Sequence, residues 1–162
     1  MFELKLLSGA LGAELYGVNL AKDLSNDVLK EMRRLLVEHE VIFFRDQDIS
    51  HEQHKQIAHF FGPLQTHPAY GTVPDFPEIT ILESTAEKPT KIEKWHTDMT
   101  FREHPPMGSI LRSKICPPSG GDTLWSSMTS AYEALSQPMK DFLDNLNAEH
   151  DFSHGFKESL AE

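Results

Sequence analysis

The sequence predicts a mainly β chain with flanking helices (α+β), a jelly-roll core decorated by helices. Two observations carry this. Short apolar, β-branched or aromatic runs recur between Gly- and Pro-rich turns, and helical periodicities are confined to the stretches that flank them. A length of 162 residues is ordinarily one domain, enough to bury a real core.

In chain order, the first twenty residues read as short strands around Gly9, Gly12 and Gly17. Ser25 then precedes Leu29, Met32, Leu35 and Leu36 at helical spacing, which predicts a helix over about residues 26–39. Val41, Ile42, Phe43 and Phe44 predict a buried strand, and Ser50 with Gln53 forms a capping-box pattern for a second helix ending near Gly62. Ile79 and Ile81 mark a further strand. Residues 85–94 are polar, contain Pro89 and read as a loop. Strands are expected over about 96–101, 108–115 and 122–126, then helices over about 129–135 and 138–146 and a strand-like stretch from Ala148 to Phe156.

Composition excludes several classes. Asp and Glu outnumber Lys and Arg 25 to 15, a net charge of -10, which argues against a nucleic-acid-binding surface. No apolar run approaches the roughly eighteen residues of a membrane span, and the first residues lack the pattern of a secretory signal. The single Cys116 permits no internal disulfide and suits a reducing, cytoplasmic setting. It ends an apolar strand before two prolines, which reads as structural and not as a catalytic thiol.

Trp95-His96-Thr97-Asp98-Met99-Thr100-Phe101 is the most informative segment. In an extended chain, side chains two apart share a face, so His96 and Asp98 can converge on one cation, a neutral nitrogen beside an anionic oxygen. Two histidines and one carboxylate suit non-haem Fe(II), and this pair is two-thirds of such a triad. Alone, His-x-Asp also recurs by chance as a solvated surface pair. About twenty residues on, Pro117-Pro118-Ser119-Gly120-Gly121-Asp122-Thr123-Leu124-Trp125 gives a Pro- and Gly-rich turn opening into a β-prone segment.

His-Thr-Asp, the intervening apolar stretch and Gly-Gly-Asp-Thr at this distance resemble the taurine dioxygenase family of Fe(II)/2-oxoglutarate-dependent oxygenases, within the cupin-like, double-stranded β-helix superfamily. The resemblance also takes in Val41–Gln47, Phe60–Leu64, His67–Tyr70, Ala131–Leu135 and Ala148–Phe152, in the family's order, and so covers nearly the whole chain. It implies that His96 and Asp98 are metal ligands, that the Thr123 hydroxyl bonds the 2-oxoglutarate carboxylate, and that Trp95 and Trp125 wall the site. It also implies that His67 meets an anionic head group with Tyr70 nearby, and that Met99 and Phe156 line the pocket.

Two positions depart from the taurine enzyme's pattern: Ile92 stands where an asparagine bonds the amine, and Gly155 where a serine stands. Both remove polar groups, which favours an alkyl sulfonate or sulfate over taurine, because an ammonium buried without its partner is costly. The resemblance further implies one oxygenase domain over residues 1–162, its N-terminal part. The remaining core strands, with the second metal histidine and the arginine for 2-oxoglutarate, are expected beyond it. The expected activity is hydroxylation of a small organic anion such as a sulfonate, with dioxygen and 2-oxoglutarate consumed and succinate and CO2 released; a homo-oligomer is left open. A non-catalytic fragment or binding module of the same ancestry is the main alternative, and a cupin-type metal hydrolase or isomerase a weaker one. Among the other histidines, His51, His54 and His59 read as solvated helix residues, and His150 and His154 as outside chances for the third ligand.

Overall fold

The computed structural model describes residues 2–90, 92 and 94–153. The chain divides into two compact units: residues up to Gln53 together with Leu111–Asn147, and His54–Ile110 together with the residues from Ala148.

In the first unit, β1 (Glu3–Leu6) pairs antiparallel with β2 (Ala13–Tyr16), which pairs parallel with β3 (Ile42–Phe43). The connection between β1 and β2 closes through the Leu7 N–H on the Gly12 carbonyl, 2.9 Å. Gly12 takes φ +91°, a conformation L side chains rarely adopt, and packs against Leu7 and Phe43. Helix α1 (Asn26–His39) starts where expected: the Ser25 side chain accepts the Val28 N–H, and Asp27 sits in the first turn, near the positive end of the helix dipole. Its apolar stripe buries Met32 and Leu35, which join Ala13, Leu15, Val18, Leu20 and Ile49 as the core of this unit. Each of these side chains apart from Ala13 contributes roughly 1.5–3 kcal/mol by leaving water.

Polar groups hold this unit together. Gln47 accepts from the Leu20 N–H and donates to the carbonyls of Val18 and Arg45, stapling the chain after β3 to the chain after β2. Glu14, buried on β2, receives the Arg45 guanidinium, and with the Tyr16 hydroxyl this holds its carboxyl below the usual glutamate range. Ser127, also buried, donates to Glu40 at 2.7 Å and caps α3 (Met128–Glu133) by accepting the Ser130 N–H. α4 (Gln137–Leu143) follows, with Pro138 in its first turn.

Helix α2 (His51–Phe61) begins in the first unit and runs into the second. Its capping box is complete: the Gln53 N–H donates to Ser50 Oγ, and the Gln53 carbonyl oxygen accepts the Ser50 N–H. In the second unit, β4 (Thr72–Val73) and β5 (Phe76–Thr80) form an antiparallel hairpin, turning at Asp75 with φ +66°. A half-buried Lys55–Glu78 ion pair, 3.2 Å, ties this hairpin to α2.

Four strand expectations do not hold. Among the described residues, 96–101, 108–115 and 122–126 form no ladder, and 98–101 form a turn. The stretch from Ala148 is not a strand as far as Ser153, and Phe156 lies outside the described residues. The expected strand at Val41–Phe44 shrinks to two half-buried residues. The reason is pairing. A strand exists through a neighbour that takes its N–H and C=O groups, and β-prone residues do not supply that neighbour. Ile115 is 91% exposed and Leu111 66%. What the structure contains is therefore small sheets and helices, with no closed barrel among the described residues.

Candidate active site

His96 and Asp98 do converge, through a turn and not a strand. His96 Nε2 lies 3.2 Å from Asp98 Oδ1, and Nδ1 lies 2.7 Å from the Lys94 carbonyl oxygen. A carbonyl only accepts, so Nδ1 carries a proton and donates, which leaves Nε2 facing the Asp98 carboxylate. With Nε2 protonated the two form an ion pair, and with Nε2 bare they offer a nitrogen and an oxygen to one cation. This is the arrangement of a metal-ligating histidine whose other nitrogen is oriented by a backbone carbonyl. Both side chains are more than half exposed, so the pair is reachable. A nitrogen and a carboxylate oxygen fit a divalent first-row ion such as Fe(II), and among the described residues no third His, Cys, Asp or Glu joins them.

Met99 follows directly in the left-handed region, φ +59°, an unusual conformation for a side chain of that size. Its carbonyl accepts the Arg102 N–H at 3.1 Å, closing the turn that follows Asp98. The chain then runs back against the segment carrying His67. Arg102 Nη2 donates to the Thr66 carbonyl, 3.1 Å, and Gln65 Nε2 donates to the His104 carbonyl, 3.0 Å. The expected metal pair and the expected substrate residues are thus neighbours within one unit.

His67 and Tyr70 stack, with ring centroids 4.6 Å apart and planes tilted 38°. The Ala69 N–H donates to His67 Nδ1 at 3.1 Å, so the ring proton sits on Nε2, and burial holds the imidazole pKa below its usual value. The Asp98 charge pulls that pKa up and the Arg102 charge pushes it down. His67 is therefore a neutral N–H donor at neutral pH.

A third strand of chain closes on this pair. His150 Nδ1 lies 2.8 Å from Thr100 Oγ1, and the Phe152 ring packs on Phe101 at 4.7 Å and on His67 at 6.4 Å. His150 thus meets a hydroxyl and joins no metal-binding group among the described residues. Sequence reasoning did not single out Arg102, Gln65 or Phe152 as site residues. Only the position of Arg102, four residues after Asp98, offered a signal.

Ile92 is 53% exposed, and no described hydrogen bond or ring contact joins it to His67 or Asp98. Thr123 belongs to the first unit, where it lines an open depression with Leu7, Leu11, Phe43 and Trp125. Trp125 meets Phe43 edge to face at 5.2 Å. Trp95 is exposed. Phe156, Gly155 and His154 lie outside the described residues. His54, expected to be solvated, is half-buried and donates to the Ile110 carbonyl at 3.0 Å.

A nitrogen–carboxylate pair beside an imidazole donor and an aromatic wall has the chemistry to hold a cation and a small molecule. Comparison with known proteins gives the family. The model of the taurine catabolism dioxygenase TauD, TfdA family matches residues 3–162, and the chain belongs to that family. It is 37% identical over 154 residues to an alkylsulfatase of Acinetobacter baylyi (91% of this chain, 46% of the relative). It is 37% identical over 145 residues to an alpha-ketoglutarate-dependent sulfate ester dioxygenase of Pseudomonas putida (89% and 48%). The crystal structure of a taurine dioxygenase from Burkholderia xenovorans superposes with a TM-score of 0.77 at 40% identity, covering 89% of this chain and 51% of that one. The chain spans about half the length of these relatives.

Proposed function

We propose that this chain carries part of the active site of an Fe(II)/2-oxoglutarate-dependent dioxygenase that hydroxylates a small organic anion bearing a sulfate or sulfonate group. The observation that carries the reading is the His96–Asp98 pair, with Nε2 turned to the carboxylate by the Nδ1 contact to the Lys94 carbonyl, in the same unit as the His67–Tyr70 stack. Fe(II), when bound with 2-oxoglutarate, supplies dioxygen activation coupled to decarboxylation of the co-substrate to succinate. His96 and Asp98 hold the ion on one side. The third ligand and the arginine for 2-oxoglutarate come from outside the described residues, and Thr123 bonds the co-substrate carboxylate. The fold proposed for the whole protein is a jelly roll.

His67 orients the substrate by donating Nε2–H to an oxyanion, with Tyr70 and Phe152 walling the pocket against water. The sulfate or sulfonate head group is supported by the names of two relatives, an alkylsulfatase and a sulfate ester dioxygenase, and an alkyl chain in place of an amine by Ile92, which offers no amide. The one exposed cysteine suits a reducing, cytoplasmic setting, and no helix among the described residues is long and apolar enough to cross a membrane.

The test is an anaerobic titration of the complete gene product with Fe(II) and 2-oxoglutarate, watching for the visible metal-to-ligand charge-transfer band. A band that disappears in His96→Ala supports the reading. Its absence from the unaltered protein leaves a non-catalytic binding module.

A further inference from the structure

We propose that Arg102 is a specificity-determining residue, the cation that pairs with the anionic head group of the substrate beside His67. The inference rests on the function proposed above and adds a residue to it. His67 can orient an oxyanion, but its ring is neutral, and a neutral donor does not offset a full negative charge. A cation is needed close by. Arg102 is placed for this by two local constraints: the Met99–Arg102 turn brings it back after Asp98, and its Nη2 is held on the carbonyl of Thr66, the residue immediately before His67.

That bond uses one of five guanidinium N–H donors, and among the described residues the others meet no acceptor. The side chain is exposed, so an anion can reach it. The carbonyl that holds it belongs to the residue before His67, and the two donors therefore share one small region. A planar fork anchored at one corner can present two parallel N–H groups to a sulfate or sulfonate, with His67 Nε2–H completing the set. Asp98, of opposite charge, faces His96 at 3.2 Å and in the proposed function would be occupied by the metal, not by the guanidinium.

The alternative role for Arg102 is mechanical, as one of two clips joining residues 65–67 to 102–104. The other clip, Gln65 to His104, is uncharged and allows the roles to be separated. Binding of pentyl sulfate is measured by calorimetry on the complete protein loaded anaerobically with Fe(II) and 2-oxoglutarate, in parallel with the charge-transfer titration. Arg102→Gln is expected to weaken pentyl sulfate at least tenfold, about 1.4 kcal/mol, while the 2-oxoglutarate midpoint stays in place. Arg102→Lys should recover part of the loss, and Gln65→Leu should cost less than threefold. Sulfate affinity within twofold of the unaltered protein in Arg102→Gln overturns the proposal. So does an equal loss in Gln65→Leu, or a 2-oxoglutarate midpoint that shifts together with sulfate affinity, since either marks a mechanical clip. An unaltered protein that shows the band but does not bind pentyl sulfate overturns this inference alone. One that shows no band takes down the reading beneath it as well.

Discussion

His96 keeps its Nδ1–H on the Lys94 carbonyl, so its other nitrogen faces Asp98, and the two can share one cation. His96→Ala and Asp98→Ala are each expected to abolish Fe(II) binding and 2-oxoglutarate turnover in the complete protein, as read from the charge-transfer band and from succinate release. Wild-type succinate production in either variant would remove the pair from the metal site. Thr123→Ala should be milder, raising the 2-oxoglutarate requirement by the worth of one hydrogen bond to a charged group, about 1.5–3 kcal/mol. Unchanged co-substrate affinity would place Thr123 outside the site. At the other end of the pocket, an alkyl chain gains roughly 0.8 kcal/mol per buried methylene, whereas an ammonium without a partner loses more. Pentanesulfonate or pentyl sulfate should therefore turn over in preference to taurine, with Ile92→Asn moving activity toward taurine. A tenfold preference for taurine in the unaltered enzyme contradicts the apolar reading of this position.

At the scale of elements, β2 offers a test of electrostatics. The hydrogen bond from Arg45, then that from Tyr16, holds the Glu14 carboxyl below its ordinary value of 4.5. The folded state thus releases this proton more readily than the unfolded chain does. The stabilisation is fully present above the unfolded value and is lost as pH falls through the folded one. Glu14→Gln should lower stability at neutral pH and flatten the acid limb of a denaturation series on the complete protein; an acid limb of unchanged slope sinks the argument. Ser50→Ala removes one half of the α2 capping box and should cost about 1 kcal/mol in the same assay. Helices were legible in the sequence because their signals are local: Ser25, Ser50 with Gln53, and the 3.6-residue stripe of Met32 and Leu35 all act within a few residues of where they are read. The convergence of His96 and Asp98 was legible for the same reason, whereas His67 and Tyr70 were read from the family resemblance. Arg102 on Thr66, His150 on Thr100 and Phe152 on His67 join residues 36 to 85 positions apart, and no periodicity announces them. The strands expected at 108–115 and 122–126 failed on the same ground, since a ladder is a property of two segments.

For the molecule as a whole, the decisive quantity is apolar surface left in water. Leu111, Ile115 and Leu124 are each at least two-thirds exposed, and Met128, Phe142 and Leu146 are more than half exposed, although these residues have the composition of a core and not of a surface. Both members of the β1–β2–β3 sheet that lie at its edges, β1 and β3, present backbone groups on one side with no strand beside them among the described residues. Apolar area carries about 25 cal/mol per Å2 and open strand edges pair with whatever strand they meet, so the 162-residue chain produced by itself has a strong drive to cover both. It is expected to self-associate at micromolar concentration and to bind a hydrophobic dye, while the complete protein does neither. Sedimentation velocity across a concentration series gives the first readout and dye fluorescence the second. Charge works against association, since a net -10 on each copy repels its neighbours, and raising the salt concentration should therefore strengthen it. A monodisperse monomer of this chain with a cooperative melt at every salt level would mean that these side chains and strand edges are covered in solution, and would overturn this prediction.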